Sequence, residues 1–445
     1  MLGRAVLVLA VLLGAGSCRP AAPPRPNVLL VLVDTLRAEN LSLYGYSRPT
    51  SPRLEALARS AAVFLDARSQ APCTFPSANS LLTGEFPQAF LGQPGGAMGI
   101  PSERRSLAEL LAAQGYRTAA VSASPIVRKS PSRFNPGGGF ERGFERFEED
   151  CLWGNAACVN AAALRLVDSF AAPFFLYLHY LDPHGPYRPP ADYARQFAPS
   201  GYTGGPGVAE GDPNPLAKAL EAGQVPERAD LDHLEALYDD EIAYFDGRFG
   251  ELVAALAARG KLEDTLLILV ADHGEEFFEH GQLKHCHTLF DTETRTPLLI
   301  RPPGGLAQGR RIAGEAANLD VVPTVLDYLG LSADAATLPG TSLRPRLEGE
   351  GQARPAFAAW GSQRAVTFGG RKLIYDLGTD RFALYDLTTD PGETTDLTAD
   401  RPDWVSPLRR QLFTWLIAQE GADSRQRSLE QGAAARERLR SLGYL

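Results

Sequence analysis

Three strongly apolar segments of this chain each run into acidic or histidine residues. The segments are residues 28–33, which end at Asp34, residues 174–178, which end at His179, and residues 266–271, which end at Asp272 and His273. Unbroken apolar runs of this length are typical of strands buried on both faces of a parallel sheet. Ligands bind to such sheets beyond the carboxyl ends of the strands. We therefore predict that these polar residues, although distant in sequence, meet at one edge of a sheet.

The pattern between the apolar runs alternates between helices and strands. A helix is predicted over residues 52–62, a strand over 116–122 and a long helix over 235–258. This alternation predicts an α/β fold with a doubly wound, mostly parallel sheet, formed by residues 27–345. Residues 346–445 contain short strands separated by turns, and are predicted to form a C-terminal subdomain with a small antiparallel sheet and helices.

The first 26 residues are typical of an export signal and a tether. Arg4 precedes the apolar residues 5–13, and small residues then lead to Cys18. We interpret residues 1–18 as a signal peptide with a lipobox-like end, in which Cys18 would be lipidated, and residues 19–26 as a Pro-rich tether. Simple cleavage without lipidation is the alternative. The expected location is the bacterial periplasm or cell envelope, with membrane contact only through the lipid anchor.

The charge balance and the cysteines limit the classes of partner and fold. The net charge of −9 provides no basic field, so we predict no nucleic-acid partner. Four cysteines follow Cys18, and export would allow them to pair. Cys151 and Cys158 are close in sequence. Cys73 and Cys286 flank candidate site residues and could also bridge, but all three connectivities stay open.

The histidines are concentrated beside the carboxylates that follow the apolar runs. Six of the seven form two groups, with His179 and His184 in the first and His273, His280, His285 and His287 in the second. A scattered histidine usually has a structural role. Crowding of histidines beside carboxylates at strand ends instead favours a metal or anion site.

Residues 71–84 supply the candidate nucleophile. Pro76 suits the first turn of a helix and Gly84 suits its C-terminal end, so Thr74 is predicted just before the helix N-terminus. Free N–H groups and the helix dipole favour an anion there. A Thr74 hydroxyl activated by a metal could attack a phosphorus or sulfur centre, although Thr74 could also simply cap the helix.

These motifs resemble, in this order, those of the sulfatase family of the alkaline phosphatase superfamily. The matching segments are residues 26–37, 44–46 and 50–52, the helix motif within 76–84, the stretch 179–187, the segment Asp272-His273-Gly274-Glu275, and the segments within 385–393. The resemblance implies an ester hydrolase and extends over nearly the whole chain after the tether.

Carried over by position, the resemblance implies a role for individual residues. The implied metal ligands are Asp34, Thr74, Asp272 and His273, and the implied catalytic residues are Thr74, His184 and His285. The implied substrate-binding residues are His184, Lys284 and His287. Arg37 is predicted to support Asp34, and His179 and His280 are predicted to be structural.

The nucleophile segment departs from the Cys-x-Pro-x-Arg pattern of the family, in which the first residue is oxidised to formylglycine. Alignment on Pro76 places Thr74 at that position and Ala78 where arginine is expected. Cys73 lies one position too early, so we predict no formylglycine. A threonine sulfate ester lacks the release route of a formylglycine hydrate, whereas water can displace a threonine phosphate ester. Thr74 therefore favours phosphate or phosphonate esters.

The ligand set predicts a divalent cation. Mixed oxygen and nitrogen ligands suit Mn²⁺ or Zn²⁺ at least as well as Ca²⁺, which prefers oxygen. One metal site is favoured, and a second could form from Asp182, His184 and either His285 or His287.

The predicted function is a metal-dependent hydrolase that cleaves sulfuric, phosphoric or phosphonic esters through Thr74. Its substrate would be an anionic small-molecule or glycan ester. One alternative is a phosphodiesterase or phosphonate monoester hydrolase rather than a sulfatase. Another is a catalytically inactive protein that binds sulfated or phosphorylated glycans. Thr35 and Ala78, which replace an acidic residue and an arginine of the family, favour the inactive binder.

Overall fold

The structure is a computed structural model that describes residues 25–89, 99–170, 173–198, 201–205 and 207–420. The predicted signal peptide with Cys18, residues 19–24 of the predicted tether and residues 421–445 lie outside the described residues. Among the described helices, none combines the length and the apolar composition needed to cross a membrane.

The described strands form an eight-stranded main sheet, a four-stranded sheet and a two-stranded hairpin. In chain order they are β1 (Asn27–Val33), β2 (Ala62–Arg68), β3 (Arg117–Ser122), β4 (Arg146–Glu148), β5 (Phe174–Tyr180), β6 (Thr265–Ala271), β7 (Glu276–Phe277), β8 (Leu283–Lys284), β9 (Leu298–Arg301), β10 (Arg311–Ala317), β11 (Ala356–Trp360), β12 (Gln363–Phe368), β13 (Arg371–Asp376) and β14 (Arg381–Asp386). The main sheet has the order β10-β2-β9-β6-β1-β5-β3-β4. All its pairs are parallel except those of β9 with β6 and β2. The predicted α/β fold with a mostly parallel sheet is confirmed.

Helices cover both faces of the main sheet. In chain order the helices are α1 (Pro52–Ala58), α2 (Thr74–Thr83), α3 (Leu107–Ala112), α4 (Ala156–Ser169), α5 (Asn214–Glu221), α6 (Arg228–Ala258), α7 (Asp291–Thr294), α8 (Val321–Tyr328), α9 (Ser332–Ala335), α10 (Arg344–Glu348) and α11 (Pro402–Glu420). One face packs against α1, α4 and α6, and the other against α2, α3, α8 and α10. On β1, Leu29 and Val31 join the first core, while Leu30 and Leu32 join the second. Burial on both faces explains why the apolar runs show no polar alternation.

Some elements end at different residues from those predicted. The first predicted helix stops at Ala58, because Ala62 already begins β2. The predicted long helix starts earlier, at Arg228, and is α6. Strand β5 continues past Leu178, so His179 lies inside the strand rather than after it.

Helix α6 buries acidic as well as apolar side chains. The carboxylate of Asp246 accepts hydrogen bonds from the N–H groups of Arg53 and Leu54, both at 2.8 Å, and so caps the start of α1. Asp240 accepts hydrogen bonds from backbone N–H groups in the loop 195–197. These carboxylates therefore fix neighbouring segments to α6.

Buried ion pairs join the antiparallel sheet β11–β14 to the main body. Lys372 Nζ, on β13, lies 2.8 Å from Asp291 Oδ1 and 2.9 Å from Glu393 Oε1, and its side chain is only 1% exposed. Asp291 also pairs with Arg68 of β2 at 2.8 Å. The C-terminal sheet is thus attached to the main sheet through charges that water does not screen. The domain boundary at residue 345 stays a prediction.

Replacing Lys372 with methionine should destabilise the protein strongly. Methionine keeps much of the side-chain length but leaves the buried carboxylate of Glu393 without its cation. Breaking a buried pair costs about 3–5 kcal/mol, and we expect a loss of this size in the free energy of unfolding, measured with urea. Arg381→Met, at an exposed position of the same sheet, is the control and should change it by less than about 0.5 kcal/mol. Equal losses in the two variants would contradict this role for Lys372.

Candidate active site

The carboxyl ends of β1 and β6 bring three polar side chains together. Val33 lies opposite Ala271 in the parallel pair, so Asp34 and Asp272 emerge side by side. His273 Nε2 lies 3.3 Å from Asp272 Oδ2 and 3.9 Å from Asp34 Oδ1. One ligand atom of each residue lies within 4.8 Å of the other two. Three of the predicted metal ligands therefore form one cluster, called here the acidic cluster.

Hydrogen bonds orient the Asp34 carboxylate and leave one oxygen unused. Asp34 Oδ2 accepts a hydrogen bond from His179 Nε2 at 3.2 Å, and the Tyr177 hydroxyl donates to His179 Nδ1 at 3.0 Å. Asp34 Oδ1 has no hydrogen-bond partner among the described residues. Burial opposes ionisation, but the His179 hydrogen bond and the nearby His184 hold the pKa of Asp34 well below its ordinary value. His179, predicted to be structural, thus positions a candidate ligand.

The Asp272 carboxylate is oriented by the backbone. Its Oδ1 accepts hydrogen bonds from the N–H groups of Thr35 at 3.1 Å and His273 at 2.9 Å. Its Oδ2 has no partner among the described residues. Burial, together with the charge of Asp34, raises the pKa of Asp272 well above its ordinary value. Thr35 has a left-handed φ of 56°, so the chain turns sharply as it leaves Asp34.

His273 presents an unprotonated nitrogen to the same point. Its Nδ1 donates to the Gly274 carbonyl at 2.9 Å, which leaves Nε2 as the lone-pair nitrogen of the neutral ring. Burial lowers the pKa of His273 and so favours that neutral ring.

The acidic cluster fits a divalent cation. It offers two carboxylate oxygens without protein partners and one imidazole nitrogen, a mixed set that suits Mn²⁺ or Zn²⁺ at least as well as Ca²⁺. A cation would also offset the burial of two neighbouring acids. In the described ranges, no second group of three His, Cys, Asp or Glu side chains comes this close together. The residues considered for a second site (Asp182, His184 and His285 or His287) are therefore not gathered into one.

Thr74 lies at the acidic cluster as the first residue of α2. Its Oγ1 is 3.2 Å from His273 Nε2, and its side chain is buried. The N-cap is Cys73, one residue earlier than predicted, and its side chain makes no capping hydrogen bond. The helix ends at Gly84 in the left-handed conformation, as predicted. The Thr74 hydroxyl therefore faces the cluster instead of capping the helix.

A disulfide fixes the position of α2 relative to the loop after β8. The four cysteines pair as Cys73–Cys286 and Cys151–Cys158, one of the three connectivities that the sequence left open. Cys286 N–H also donates to the Pro72 carbonyl at 2.9 Å. Because Cys73 precedes Thr74 and Cys286 follows His285, the bond links the two segments that carry these residues.

A cavity of about 350 Å³ opens beside the acidic cluster, and His184, Glu275, Lys284 and His285 are among the residues that line it. The ring centroid of His285 lies 4.5 Å from that of His273 and 5.2 Å from that of His184. His285 therefore both lines the cavity and lies next to His273 of the acidic cluster.

Hydrogen bonds fix the orientation of both cavity histidines. His184 Nδ1 contacts the Gly185 carbonyl at 2.7 Å, and His285 Nδ1 contacts Glu275 Oε1 at 3.0 Å. The Nε2 atom of each ring is left for a ligand. Burial, and then the neighbouring His273 and His184, lower the pKa of His285 well below its ordinary value, while burial raises the pKa of Glu275.

Three residues that the sequence analysis singled out, His280, His287 and Arg37, are not among the described residues that line the cavity. His280 stacks on a phenylalanine ring at a centroid distance of 3.7 Å, which agrees with a structural role. Arg37 pairs with Glu39 at 2.8 Å and Glu279 at 2.6 Å. These two glutamates engage the Arg37 guanidinium, and the support of Asp34 by Arg37 stays a prediction.

Several residues that line the cavity were given no role from the sequence, among them Glu275, Arg133, Phe134 and Trp153. Glu275 had a local signal, since only Gly274 separates it from the Asp272-His273 pair. Arg133, Phe134 and Trp153 also line the cavity, but they lie in irregular loops, where residue type does not indicate direction.

Comparison with known proteins identifies the family to which this chain belongs. A family model described as Sulfatase matches residues 26–331. The chain belongs to the sulfatase family. A second model, described as N-sulphoglucosamine sulphohydrolase, C-terminal, matches residues 279–418.

Several relatives of this sulfatase-family chain are named as sulfatases, and the chain is an ester hydrolase of the same family. Arylsulfatase A of Bos taurus is 29% identical over 379 residues, which cover 78% of this chain and 72% of the relative. A sulfatase of Formosa agariphila is 24% identical over 415 residues and covers 80% of each chain. The crystal structure of the phosphonate monoester hydrolase of Agrobacterium radiobacter has the same fold, with a TM-score of 0.72 at 22% identity over 89% of this chain and 96% of that one.

Two buried acids support the loop that carries His184. Asp182 and Glu241 of α6 are in hydrogen-bond contact. Burial raises the pKa of Asp182 to about 7, and burial with the charge of Asp182 raises the pKa of Glu241 well above its ordinary value. The two carboxyl groups therefore share a proton near neutral pH.

This pair should make the enzyme less stable as the pH rises. A carboxyl whose folded pKa is raised contributes its full stability below its unfolded pKa, near 4, and loses it as the pH passes about 7. We expect the free energy of unfolding to fall between pH 5 and 8, and Asp182→Asn to reduce that fall, since the amide donates to Glu241 without titrating. Asp246, whose pKa burial also raises to about 7, leaves a residual slope. Exposed Asp192→Asn is the control, and an unchanged slope in Asp182→Asn would refute this account.

Removing the Cys73–Cys286 disulfide should lower stability more than removing Cys151–Cys158. The first closes a sequence separation of 213 residues and the second only 7. In the chain-entropy model, loss of the long link costs about 5 kcal/mol and loss of the short link about 2 kcal/mol. Urea unfolding of the two double Cys→Ser variants tests the order. Peptide mapping without reduction should recover Cys73 joined to Cys286, and a formylglycine at either position would rule the pairing out.

Proposed function

We propose that this sulfatase-family enzyme hydrolyses phosphate or phosphonate esters through a covalent ester on Thr74. The observation that carries the proposal is the 3.2 Å contact between Thr74 Oγ1 and His273 Nε2, beside the unpartnered oxygens of Asp34 and Asp272. Thr74 also lies at the start of α2, where free N–H groups and the helix dipole favour an anionic substrate group.

The state of Cys73 supports threonine as the nucleophile. Its sulfur is bonded to Cys286, so the cysteine next to Thr74 is not free for conversion to formylglycine. Ala78 also stands where the formylglycine pattern has arginine. An ester on Thr74 has no second hydroxyl from which to release sulfate, whereas in-line attack by water can open a phosphate ester.

The chain also supplies groups for charge and proton transfer. A divalent cation bound by Asp34, Asp272 and His273 would polarise the ester and lower the pKa of a neighbouring hydroxyl. In the proposed first step, Thr74 Oγ loses its proton to water and bonds to phosphorus while the bond to the leaving oxygen breaks. In this step His184 carries both ring protons: Nδ1 donates to the Gly185 carbonyl, and Nε2 donates to a non-bridging oxygen.

His285 is proposed to transfer the second proton. Glu275, whose pKa burial raises, donates to His285 Nδ1 at 3.0 Å, so Nε2 carries the N–H of the neutral ring. Nε2 can give that proton to the leaving oxygen while the Glu275 proton moves to Nδ1. Water then attacks phosphorus, His285 Nε2 takes a proton from that water, and Thr74 Oγ leaves and regains its own. The sum is one ester and one water converted into an alcohol and an acid.

Export and anchoring at Cys18 belong to the same proposal. The two disulfides support it, because such bonds persist mainly in oxidising compartments. The substrate would then be an anionic small-molecule or glycan ester met outside the cytosol.

Sulfate esters are the second candidate, favoured by the 29% identity to an arylsulfatase over 78% of the chain. Inactive binding of anionic glycans is disfavoured by the unpartnered ligand atoms and the Thr74 contact. A panel of nitrophenyl phosphate, phosphodiester, phosphonate ester and sulfate, each with Mn²⁺, Zn²⁺ and Ca²⁺, separates these candidates. We expect turnover of a phosphorus ester. Turnover of the sulfate alone would overturn the phosphorus preference, and folded, metal-loaded protein without any turnover would establish the binder.

Thr74→Val should reduce phosphorus-ester turnover at least about 1000-fold, because it removes the nucleophile but keeps the side-chain shape. Thr74→Ser should retain turnover within about tenfold. Thr83→Val is the matched control, since Thr83 Oγ1 bonds the Asn79 carbonyl at 2.6 Å at the other end of α2. Metal content of Thr74→Val should stay near that of the parent, and Asp272→Asn should lose metal. Substantial turnover by Thr74→Val would exclude the threonine route.

A further inference from the structure

The outer wall of the cavity is aromatic and basic. Trp153, Phe134 and Arg133 line it together with His184 and His285. Trp153 is 48% exposed, although most large apolar side chains of the described chain are buried. An indole that remains open to solvent on the wall of a cavity beside the candidate catalytic histidines is not needed to fill the core.

The loop that presents Trp153 is held in place by several contacts. Trp153 has a left-handed φ of 59°, an uncommon conformation for a bulky residue and one that is concentrated at functional sites. The backbone N–H of Trp153 donates to the Ala123 carbonyl at 3.0 Å, next to the end of β3. The disulfide Cys151–Cys158 closes the loop that contains Trp153. The ring of Phe134 packs edge-on against the indole at 5.5 Å. The indole is therefore a fixed wall of the cavity.

Two cations line the same cavity without an ion pair among the described residues. Arg133 lies over the ring of the neighbouring phenylalanine at 4.4 Å, and Lys284 Nζ donates to Asn214 Oδ1 at 3.2 Å. The acidic residue in the lining, Glu275, is already engaged by His285. The cavity thus combines a flat apolar surface with two cations that form no ion pair with a carboxylate of the described chain.

We propose that this cavity is the leaving-group subsite and takes a single ring that carries a second negative charge. The flat face of the ring stacks on Trp153, and the second charge lies near Arg133 and Lys284. The volume of about 350 Å³ is at the lower end for ligand pockets and suits one ring rather than a chain of them. This subsite rests on the proposed function, because it defines which alcohol leaves. The ring could be aryl or pyranose, since both have a flat face.

Binding of the released alcohol tests the subsite without catalysis. The probes are 4-hydroxybenzoate against phenol and glucuronate against glucose, measured by calorimetry on metal-free protein, with acetate to control for carboxylate binding elsewhere. We expect the charged ring of one pair to bind at least about tenfold more tightly than its neutral partner, and that pair identifies the ring type. Trp153→Ala should weaken this binding at least about tenfold, and Trp153→Phe should restore it to within about threefold. Arg133→Gln should reduce the difference between charged and neutral rings.

Turnover separates this subsite from the proposed function. Trp153→Ala should raise KM for the ester of the preferred ring by a much larger factor than KM for the methyl ester, because a methyl group does not reach the indole. Ring binding without hydrolysis of any ester would reject the proposed function and keep the subsite. Equal affinity of Trp153→Ala and the parent, equal affinity for charged and neutral rings, or no ring binding at about 10 mM would overturn the subsite.

Discussion

The register of β1 against its neighbours determines where the site can form. Val33 lies opposite Ala271, and both strands end at the same edge, so Asp34 and Asp272 are delivered together. The interior of β1 is apolar on both faces, so its sequence alone does not oppose a change of register. The polar residues at the two ends of the strand do oppose such a change. A shift would draw Asp34 between apolar side chains as an unpaired charge, and would break the hydrogen bond that Asn27 Oδ1 accepts at the other end of the strand.

Burying two charged carboxylates at this same edge of the sheet is unfavourable in free energy. Asp34 and Asp272 are both buried, each has one oxygen engaged by hydrogen bonds, and each leaves the other oxygen unpartnered beside His273. A fold selected only for stability would not place two carboxylates here, since removing charges from water costs several kcal/mol per ion. Whatever cation binds at this point therefore also stabilises the folded chain, and ligand binding and stability are coupled.

Much of the fold could be predicted because strands that are buried on both faces have unbroken apolar sequences. The runs that end at Asp34 and at Asp272 predicted strands, and the rule that ligands bind at strand ends predicted their meeting. Other features depend on geometry that residue type does not encode. Arg37 could be predicted to lie near the site, but its pairing with Glu279 depends on the path of the segment after β7. Trp153 gave no signal, because its direction follows from a left-handed turn inside an irregular loop. A lysine is rarely buried unless it is paired, so nothing in the sequence indicates the burial of Lys372 between the two sheets.

The Cys73–Cys286 link encloses a ring of chain that contains β3, β4, β5, α6 and β6. A single protease nick anywhere inside this ring, for example in the exposed segment after α5, would cut the polypeptide without releasing either fragment. The fragment that carries Thr74 would stay covalently joined to the one that carries His285. The two sides of the site would therefore survive such damage as a tethered pair, with the remaining noncovalent contacts of the sheet to hold them in register.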